Sequence, residues 1–218
     1  MNDSILTFLN ALKENNNREW FLQNKGQYQQ AREELETFIN DLIPVIRDFD
    51  PLIDMISAKD CVFRIYRDVR FSPNKLPYKT NMGAYIARGG KNSPMAGYYV
   101  HFEPGGSFLA GGVYMPQPDV LKMLRQEIYY NFDEFTGIIH NEKFRKVFGQ
   151  MDDDNKLKTG PKDFPKDFPG IEYLKFKSYA VVHHVGDEKV TAPAYLNYAR
   201  EVFLTLYPLN AFFNRLFI

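Results

Sequence analysis

The chain has 218 residues, a length that fits one large domain covering residues 1–218. Its residues are 44% hydrophobic, 16% aromatic and 25% charged, as in folded proteins that bury a sizeable core. The 27 basic side chains are balanced by 27 acidic ones, which excludes the strongly basic character of most nucleic-acid-binding domains and makes any preference for anions a local property.

The first elements that the sequence predicts are helices. Apolar residues from Ile5 to Leu12 recur at helical spacing behind Ser4, which we expect to cap a short amphipathic helix. Asn17 is placed to cap the next helical turn. A long apolar stripe from Tyr28 to Ile46 then predicts a helix that ends near Phe49, because an Asp-Pro pair follows.

The hydrophobic period changes to two after the long helix. Alternation over residues 61–71 predicts a strand, and further strands are expected over residues 83–88, 97–103 and 107–115. Their short connections indicate an antiparallel meander, and Gly111-Gly112 inside the last of them indicates a bulge or a close approach of two backbones.

The last third of the chain returns to helices. A helix begins at Gln117-Pro118 and helical turns continue to about Phe148, whereas residues 149–170 are too polar and too rich in Pro and Gly for regular structure. A strand over residues 179–185 and a helix over residues 193–207, broken or kinked at Pro208, complete the prediction. Helices before and after a cluster of strands indicate an α+β fold, with helices packed on a mostly antiparallel sheet.

Residues 64–79, RIYRDVRFSPNKLPYK, concentrate positive charge, and we call them the basic segment. Strand alternation predicts that Arg64, Asp68 and Arg70 share one face, followed by a loop that carries further cations. Planar guanidinium groups bind phosphate or carboxylate in bidentate fashion, and lysines add charge. The predicted ligand-binding residues are Arg64, Arg67, Arg70, Lys75, Tyr78 and Lys79. The alternatives are a solvated basic face paired with acids from elsewhere and, for Tyr78, simple packing.

Arg67 falls on the other predicted face, among Phe63, Ile65, Val69 and Phe71, which looks towards the core. An unpaired ion in that position costs several kcal/mol, so Arg67 should find a carboxylate, backbone carbonyls or a ligand. A buried structural ion pair and support of the anion site from behind both satisfy this requirement.

Two residues are candidates for catalysis. Asp68 lies between arginines and could orient a guanidinium, act as a general base or bind a metal; neighbouring arginines lower the pKa of a carboxyl group, which favours orientation. His101, in the pattern Tyr99-x-His101-x-Glu103, could act as an acid or base near neutral pH. No pair of histidines has helical metal-site spacing, so the sequence predicts no metal site and specifies no cofactor.

The basic segment resembles the signature of a family widespread in bacteria, domain of unknown function 2461, with the pattern Arg-x-x-Arg-Asp-x-Arg-Phe-x-x-(Asp or Asn)-Lys-x-x-Tyr. The matching residues are Arg64, Arg67, Asp68, Arg70, Phe71, Asn74, Lys75 and Tyr78. The resemblance extends to residues 16–21, 111–116 and 174–178. It implies one full-length domain with a shared polar site, and it implies no reaction.

Three hypotheses follow for function. The first is a site, with or without enzymatic turnover, for a small molecule that bears phosphate or carboxylate. The second is a non-catalytic module that docks an acidic protein or a nucleic acid, against which the balanced net charge argues. The third is a purely structural arginine network.

The cellular setting follows from what the sequence lacks. Cys61 is the single cysteine, so an internal disulfide is excluded and a reducing compartment is favoured. No secretory signal and no apolar run of about 20 residues is found, so we expect a cytoplasmic protein without a membrane partner. The sequence does not specify an oligomeric state.

Overall fold

The computed structural model describes residues 3–70, 73–151, 153 and 155–218. These residues form an α+β fold in which helices pack on a four-stranded antiparallel sheet, as predicted. The helices are α1 Ser4–Glu14, α2 Arg18–Gln23, α3 Lys25–Arg47, α4 Ala58–Cys61, α5 Pro118–Tyr130, α6 Phe132–Ile139, α7 Glu142–Phe148, α8 Ile171–Leu174, α9 Asp187–Val190 and α10 Tyr195–Asn214, and a 3-10 turn covers Arg215–Phe217. The strands are β1 Met82–Ile86, β2 Gly97–Phe102, β3 Phe108–Val113 and β4 Tyr179–His184.

The predicted N-terminal helices are confirmed, with one difference at the first cap. The Asn17 side chain accepts a hydrogen bond from the Trp20 N–H at 2.9 Å, which caps α2 as expected. Ser4 lies inside α1 and does not cap it. Its hydroxyl donates instead to the carboxylate of Glu34 on α3, so this residue joins two helices.

The sheet has one face buried under helices. The strands follow chain order, β1-β2-β3-β4, and Tyr98, Val100 and Phe102 of β2 are fully buried. Phe102 packs on Phe38 of α3 with ring centroids 5.8 Å apart, and Tyr98 packs on Phe203 of α10 at 5.2 Å. The opposite face, where Val182 and His184 of β4 are exposed, we call the open face.

The strand predicted over residues 61–71 is wrong. Cys61 ends α4, and the residues that follow run irregularly, with two isolated bridges, Val62 to Ala84 and Tyr66 to Tyr78. The facing stretch contains Pro73 and Pro77, which have no N–H to donate, so a continuous ladder cannot form.

The predicted core-facing side of this segment is wrong for the same reason. Ile65 is buried, but Phe63 is 36% exposed and both Val69 and Arg67 are half-exposed. The backbone N–H of Arg67 donates to the Pro77 carbonyl at 2.9 Å. Phe71, placed on that side by the prediction, lies outside the described residues.

The C-terminal helix does not stop at Pro208. Helix α10 continues to Asn214, because Leu209, Phe212 and Phe213 beyond the proline are buried against the rest of the core. That burial offsets the hydrogen bond that proline removes from a helix interior. Helices α8 and α9 are short and were not predicted. Within the described chain, no helix has both the length and the apolar character that a bilayer span requires.

Candidate functional site

The loop after α1 is joined to the end of the basic segment by a pair of side-chain to backbone hydrogen bonds. Asn16 Nδ2 donates to the Tyr78 carbonyl at 3.0 Å, and Asn16 Oδ1 accepts from the Tyr78 N–H at 3.1 Å. The Tyr78 ring, 5% exposed, stacks on Phe21 of α2 with centroids 4.0 Å apart. An asparagine amide carries one donor and one acceptor group, so it pairs with a backbone residue as a strand would.

A cleft lies between the two segments, and we call it the loop cleft. Its volume is about 610 Å³, within the range of small-molecule sites. Its described wall contains two cations, Arg18 and Lys75, and no carboxylate. The lining residues are Asn16, Asn17, Arg18, Val69, Pro73, Asn74, Lys75, Leu76 and Pro77.

Asp68 and Arg70 form a bidentate ion pair on either side of Val69, which lines the cleft. Arg70 Nε donates to Asp68 Oδ1 at 3.0 Å, and Arg70 Nη2 donates to Asp68 Oδ2 at 2.7 Å. The hydrogen bonds from Arg70, helped by the charge of Arg64, lower the pKa of the Asp68 carboxyl. A carboxylate with a lowered pKa is a weak base, so the geometry fits an orienting role for Asp68.

Lys75 and Arg18 present their charges differently. Lys75 Nζ donates to the Val69 carbonyl at 3.0 Å, which holds the ammonium group at the cleft wall. Arg18, exposed at the start of α2, makes no side-chain hydrogen bond or ion pair with the described part of the chain. Its charge acts on the buried Tyr78, whose pKa is raised by burial and lowered in part by Arg18.

Arg64 and Lys79 form a second group of cations. Burial lowers the pKa of the half-buried Lys79, and the positive charge of Arg64 lowers it further. Lys79 Nζ lies 5.6 Å from the centre of the Phe63 ring. Neither cation pairs with a carboxylate within the described residues.

His101 lies in a polar network on the open face. Its Nδ1 is 3.0 Å from the Tyr99 hydroxyl, and its Nε2 is 3.3 Å from Glu103 Oε2. Burial lowers the pKa of this imidazole, whereas Glu103 opposes that shift. Thr80 donates to Glu103 Oε1 at 3.0 Å, which connects the network to the residue after Lys79.

One family model, that of conserved hypothetical proteins (DUF2461), matches residues 4–212. The chain belongs to this family. No curated protein and no solved structure matches the chain. The DUF2461 match includes the loop cleft and the open face, so both are parts of the family domain, and the predicted family is confirmed.

Two further segments of the DUF2461 resemblance also meet in the fold. The Met115 N–H donates to Ser178 Oγ at 2.9 Å, and Met115 adopts a positive φ of 45°. The Gly111-Gly112 stretch brings backbones close together, as predicted, because a Cβ at Gly112 would overlap the Tyr179 carbonyl oxygen. Segments that are far apart in the sequence therefore form pairs of contacts.

The structure thus divides the predicted site residues of this DUF2461 chain. Lys75 lines the loop cleft, with Asp68 and Arg70 beside it, whereas Arg64, Lys79 and His101 do not line it. Arg18 and Asn74 were missed as cleft residues, although both lie in segments that carry the family resemblance. Within the described residues, no group of three or more His, Cys, Asp or Glu side chains could hold a metal ion.

Proposed function

We propose that the protein binds a small molecule bearing a phosphate or carboxylate group in the loop cleft. One observation carries the proposal: the described wall of a cleft of about 610 Å³ contains two cations and no carboxylate. Positive charge without a fixed counter-ion attracts anions, and this attraction becomes stronger as the ligand displaces water. The asparagine amides of the wall add neutral hydrogen-bonding groups that can fix a ligand's orientation.

Within this proposal, Lys75 and Arg18 contact the anionic group, and Arg70, oriented by Asp68, stands at the rim. Arg64 and Lys79 add positive charge from the neighbouring surface. Arg67 supports the segment through its backbone bond to Pro77. The buried ring of Tyr78 fits the packing alternative, since it stacks on Phe21. The single, buried Cys61 supports a reducing compartment such as the cytoplasm.

The test is thermal stabilisation by three defined probes: inorganic phosphate, ribose 5-phosphate and citrate. A ligand at a hundred times its Kd stabilises a protein by about 2.7 kcal/mol, which for a domain of this size raises Tm by about 5–10 °C. We expect at least one probe to produce such a shift. The double variant Arg18→Gln, Lys75→Gln should lose it while keeping the Tm of the free protein.

The matched control is the double variant Arg88→Gln, Lys143→Gln, which removes one arginine charge and one lysine charge from exposed positions outside the cleft. It should respond as the wild-type protein does. Equal shifts in both double variants, or no shift with any probe, would overturn the proposal. Binding of duplex DNA that weakens steeply with salt, without binding of the small probes, would favour an interaction module instead.

A further inference from the structure

The open face carries a polar network that is separate from the loop cleft. Tyr99, His101 and Glu103 occupy alternate positions along β2 and its end, so their side chains lie on the same side of the sheet. None of the three lines the loop cleft. His101 is 8% exposed, so a polar ring is held where an apolar residue would pack more cheaply.

The partners of His101 determine where its proton resides. The Glu103 carboxylate only accepts hydrogen bonds, so Nε2 must carry the proton that it shares with Glu103 at 3.3 Å. In the neutral imidazole, which burial favours, Nδ1 is then an acceptor. The Tyr99 hydroxyl, 3.0 Å away, must therefore donate its proton to Nδ1.

Neighbouring groups hold this arrangement in place. The His101 ring stacks on Phe108 of β3 with centroids 4.3 Å apart and an interplanar angle of 12°. Gly83 on β1 leaves room for the phenol, because a Cβ there would lie 2.7 Å from the Tyr99 oxygen. Ser107 Oγ accepts from the Glu103 N–H at 3.1 Å and donates to the Glu103 carbonyl at 3.0 Å.

Positive charge surrounds one side of the network. The charge of Lys79 acts on His101, and that of Arg64 acts on Lys79. Phe63 lies between the two groups, since its ring contacts Lys79 and packs on Tyr99 with centroids 6.2 Å apart. A ligand that reaches Tyr99 from this side meets cations, which favours an anionic one.

We propose that Tyr99 is a nucleophile towards the acyl group of an anionic carboxylic ester, with His101 as its general base and Glu103 as the residue that positions the imidazole. The order of nucleophile, base and orienting carboxylate is that of known acyl-transfer triads, with a phenol as the nucleophile and with the two imidazole nitrogens exchanged. Burial, with the charge of Glu103, raises the pKa of the Tyr99 phenol to about 12, so it attacks only as its proton passes to the base. The Tyr99 oxygen forms a bond to the carbonyl carbon as the bond from that carbon to the leaving oxygen breaks. The phenolic proton passes to His101 Nδ1 and then to the leaving oxygen, and water later hydrolyses the acyl-tyrosine.

The test uses two chromogenic esters that differ by one carboxylate, 4-acetoxy-3-nitrobenzoate and the neutral 2-nitrophenyl acetate. We expect a burst of about one equivalent of nitrophenolate, with the acetyl group located on Tyr99 by peptide mass spectrometry. The anionic ester should react at least about fivefold faster than the neutral one, and Lys79→Met should remove most of that preference. Tyr99→Phe, which keeps the ring contacts, should abolish the burst.

Glu103→Gln tests whether Glu103 positions the His101 imidazole for catalysis or only stabilises the fold. It should slow the burst at least about tenfold, because an unoriented imidazole is a poorer base. It should also move the inflection of the pH–rate profile to lower pH, since Glu103 raises the pKa of His101. The titratable and charged groups facing His101 are Tyr99, Glu103 and Lys79; His184 contacts Phe108 instead.

Tyr114→Phe is the control, because Tyr114 is 75% exposed and lies outside the network. This variant should keep the full burst. Circular dichroism and Tm verify that each variant folds. A burst that survives Tyr99→Phe, acetyl groups found on Tyr114 or on lysines alone, or an unchanged rate in Glu103→Gln would overturn the proposal. Because Tyr99, His101 and Glu103 do not line the loop cleft, ligand binding in the cleft and ester cleavage at Tyr99 can each be lost without loss of the other.

Discussion

Replacing Asn16 with alanine tests how firmly the N-terminal helices are joined to the basic segment. The substitution removes both hydrogen bonds to the Tyr78 backbone, at 3.0 and 3.1 Å. Each bond contributes about 1 kcal/mol net, and leaving a buried backbone group unsatisfied costs about 1–3 kcal/mol. Since Tyr78 is buried, we expect a loss of about 2–4 kcal/mol in the free energy of unfolding.

A loss of that size lowers Tm by about 4–16 °C in a protein of this length. The measurement is a calorimetric or fluorescence melt of the free protein, followed by the citrate and phosphate titrations described above. Ligand-induced stabilisation should fall as well, because Asn16 is itself part of the cleft wall and fixes the position of the facing loop.

Asn15→Ala supplies the control. Asn15 is the same residue type one position earlier, but among the described residues its side chain makes one hydrogen bond, an exposed one to the Ala11 carbonyl at 3.0 Å. Its removal should change stability by no more than about 0.5 kcal/mol. If the two variants melt at the same temperature, the Asn16 contact does not hold the segments together and the reasoning fails.

Three other predictions follow from single residues. Gly112→Ala should lower the free energy of unfolding, measured in urea, by more than about 2 kcal/mol, because φ is 103° and the new Cβ would overlap the Tyr179 carbonyl. Gly137→Ala, which has open space around it in α6, should instead raise that free energy by about 0.5–1 kcal/mol. Similar effects from the two substitutions would contradict the argument. Burial lowers the pKa of His101 below its usual 6.5, so the stability that the neutral imidazole contributes is complete above pH 6.5 and is lost as pH falls through the lowered pKa. His101→Gln should therefore flatten the decline of the urea unfolding midpoint between about pH 7 and 5. An unchanged decline would show that His101 does not cause it. Burial raises the pKa of the Cys61 thiol to about 12, so the native protein should not react with a disulfide reagent at about pH 8. The unfolded protein should react at once. Rapid labelling of the native protein would show that Cys61 is accessible.

The sequence predicts elements well where one buried face repeats over several turns. Helix α3 carries its apolar stripe from Tyr28 to Ile46, and every member of that stripe is buried. Residues 61–71 fail as a strand because the stretch that faces them contains Pro73 and Pro77, and strand pairing depends on the facing residues as well as on the alternation within the strand. Helix α10 passes through Pro208 because tertiary burial outweighs a local breaker.

The candidate site could be predicted only where its chemistry is local. Asp68 and Arg70 are two residues apart, and their pairing follows from adjacent opposite charges. Arg18 was not predicted to reach the cleft, since the Asn16–Tyr78 contact that brings it there joins residues 62 positions apart. The family resemblance of residues 16–21 was the sequence feature that pointed to this region, but it did not indicate which residues these would contact in the fold.

The order of the strands has a consequence for how the molecule folds. β1, β2 and β3 are joined by short connections, so their hairpins can close early. β4 follows β3 only after residues 114–178, and closing so much longer a loop costs roughly 2 kcal/mol more than closing a hairpin.

Helices α5 to α8 occupy that interval, and their packing offsets the cost: α7 packs on β4, and α6 and α7 pack on α10. We expect β4 and these helices to open together as one cooperative unit, leaving the three-stranded meander on helices α1 to α3 and on α10. The basic segment and its cleft belong to the part that stays closed, so partial opening at the far edge of the sheet would leave ligand binding intact.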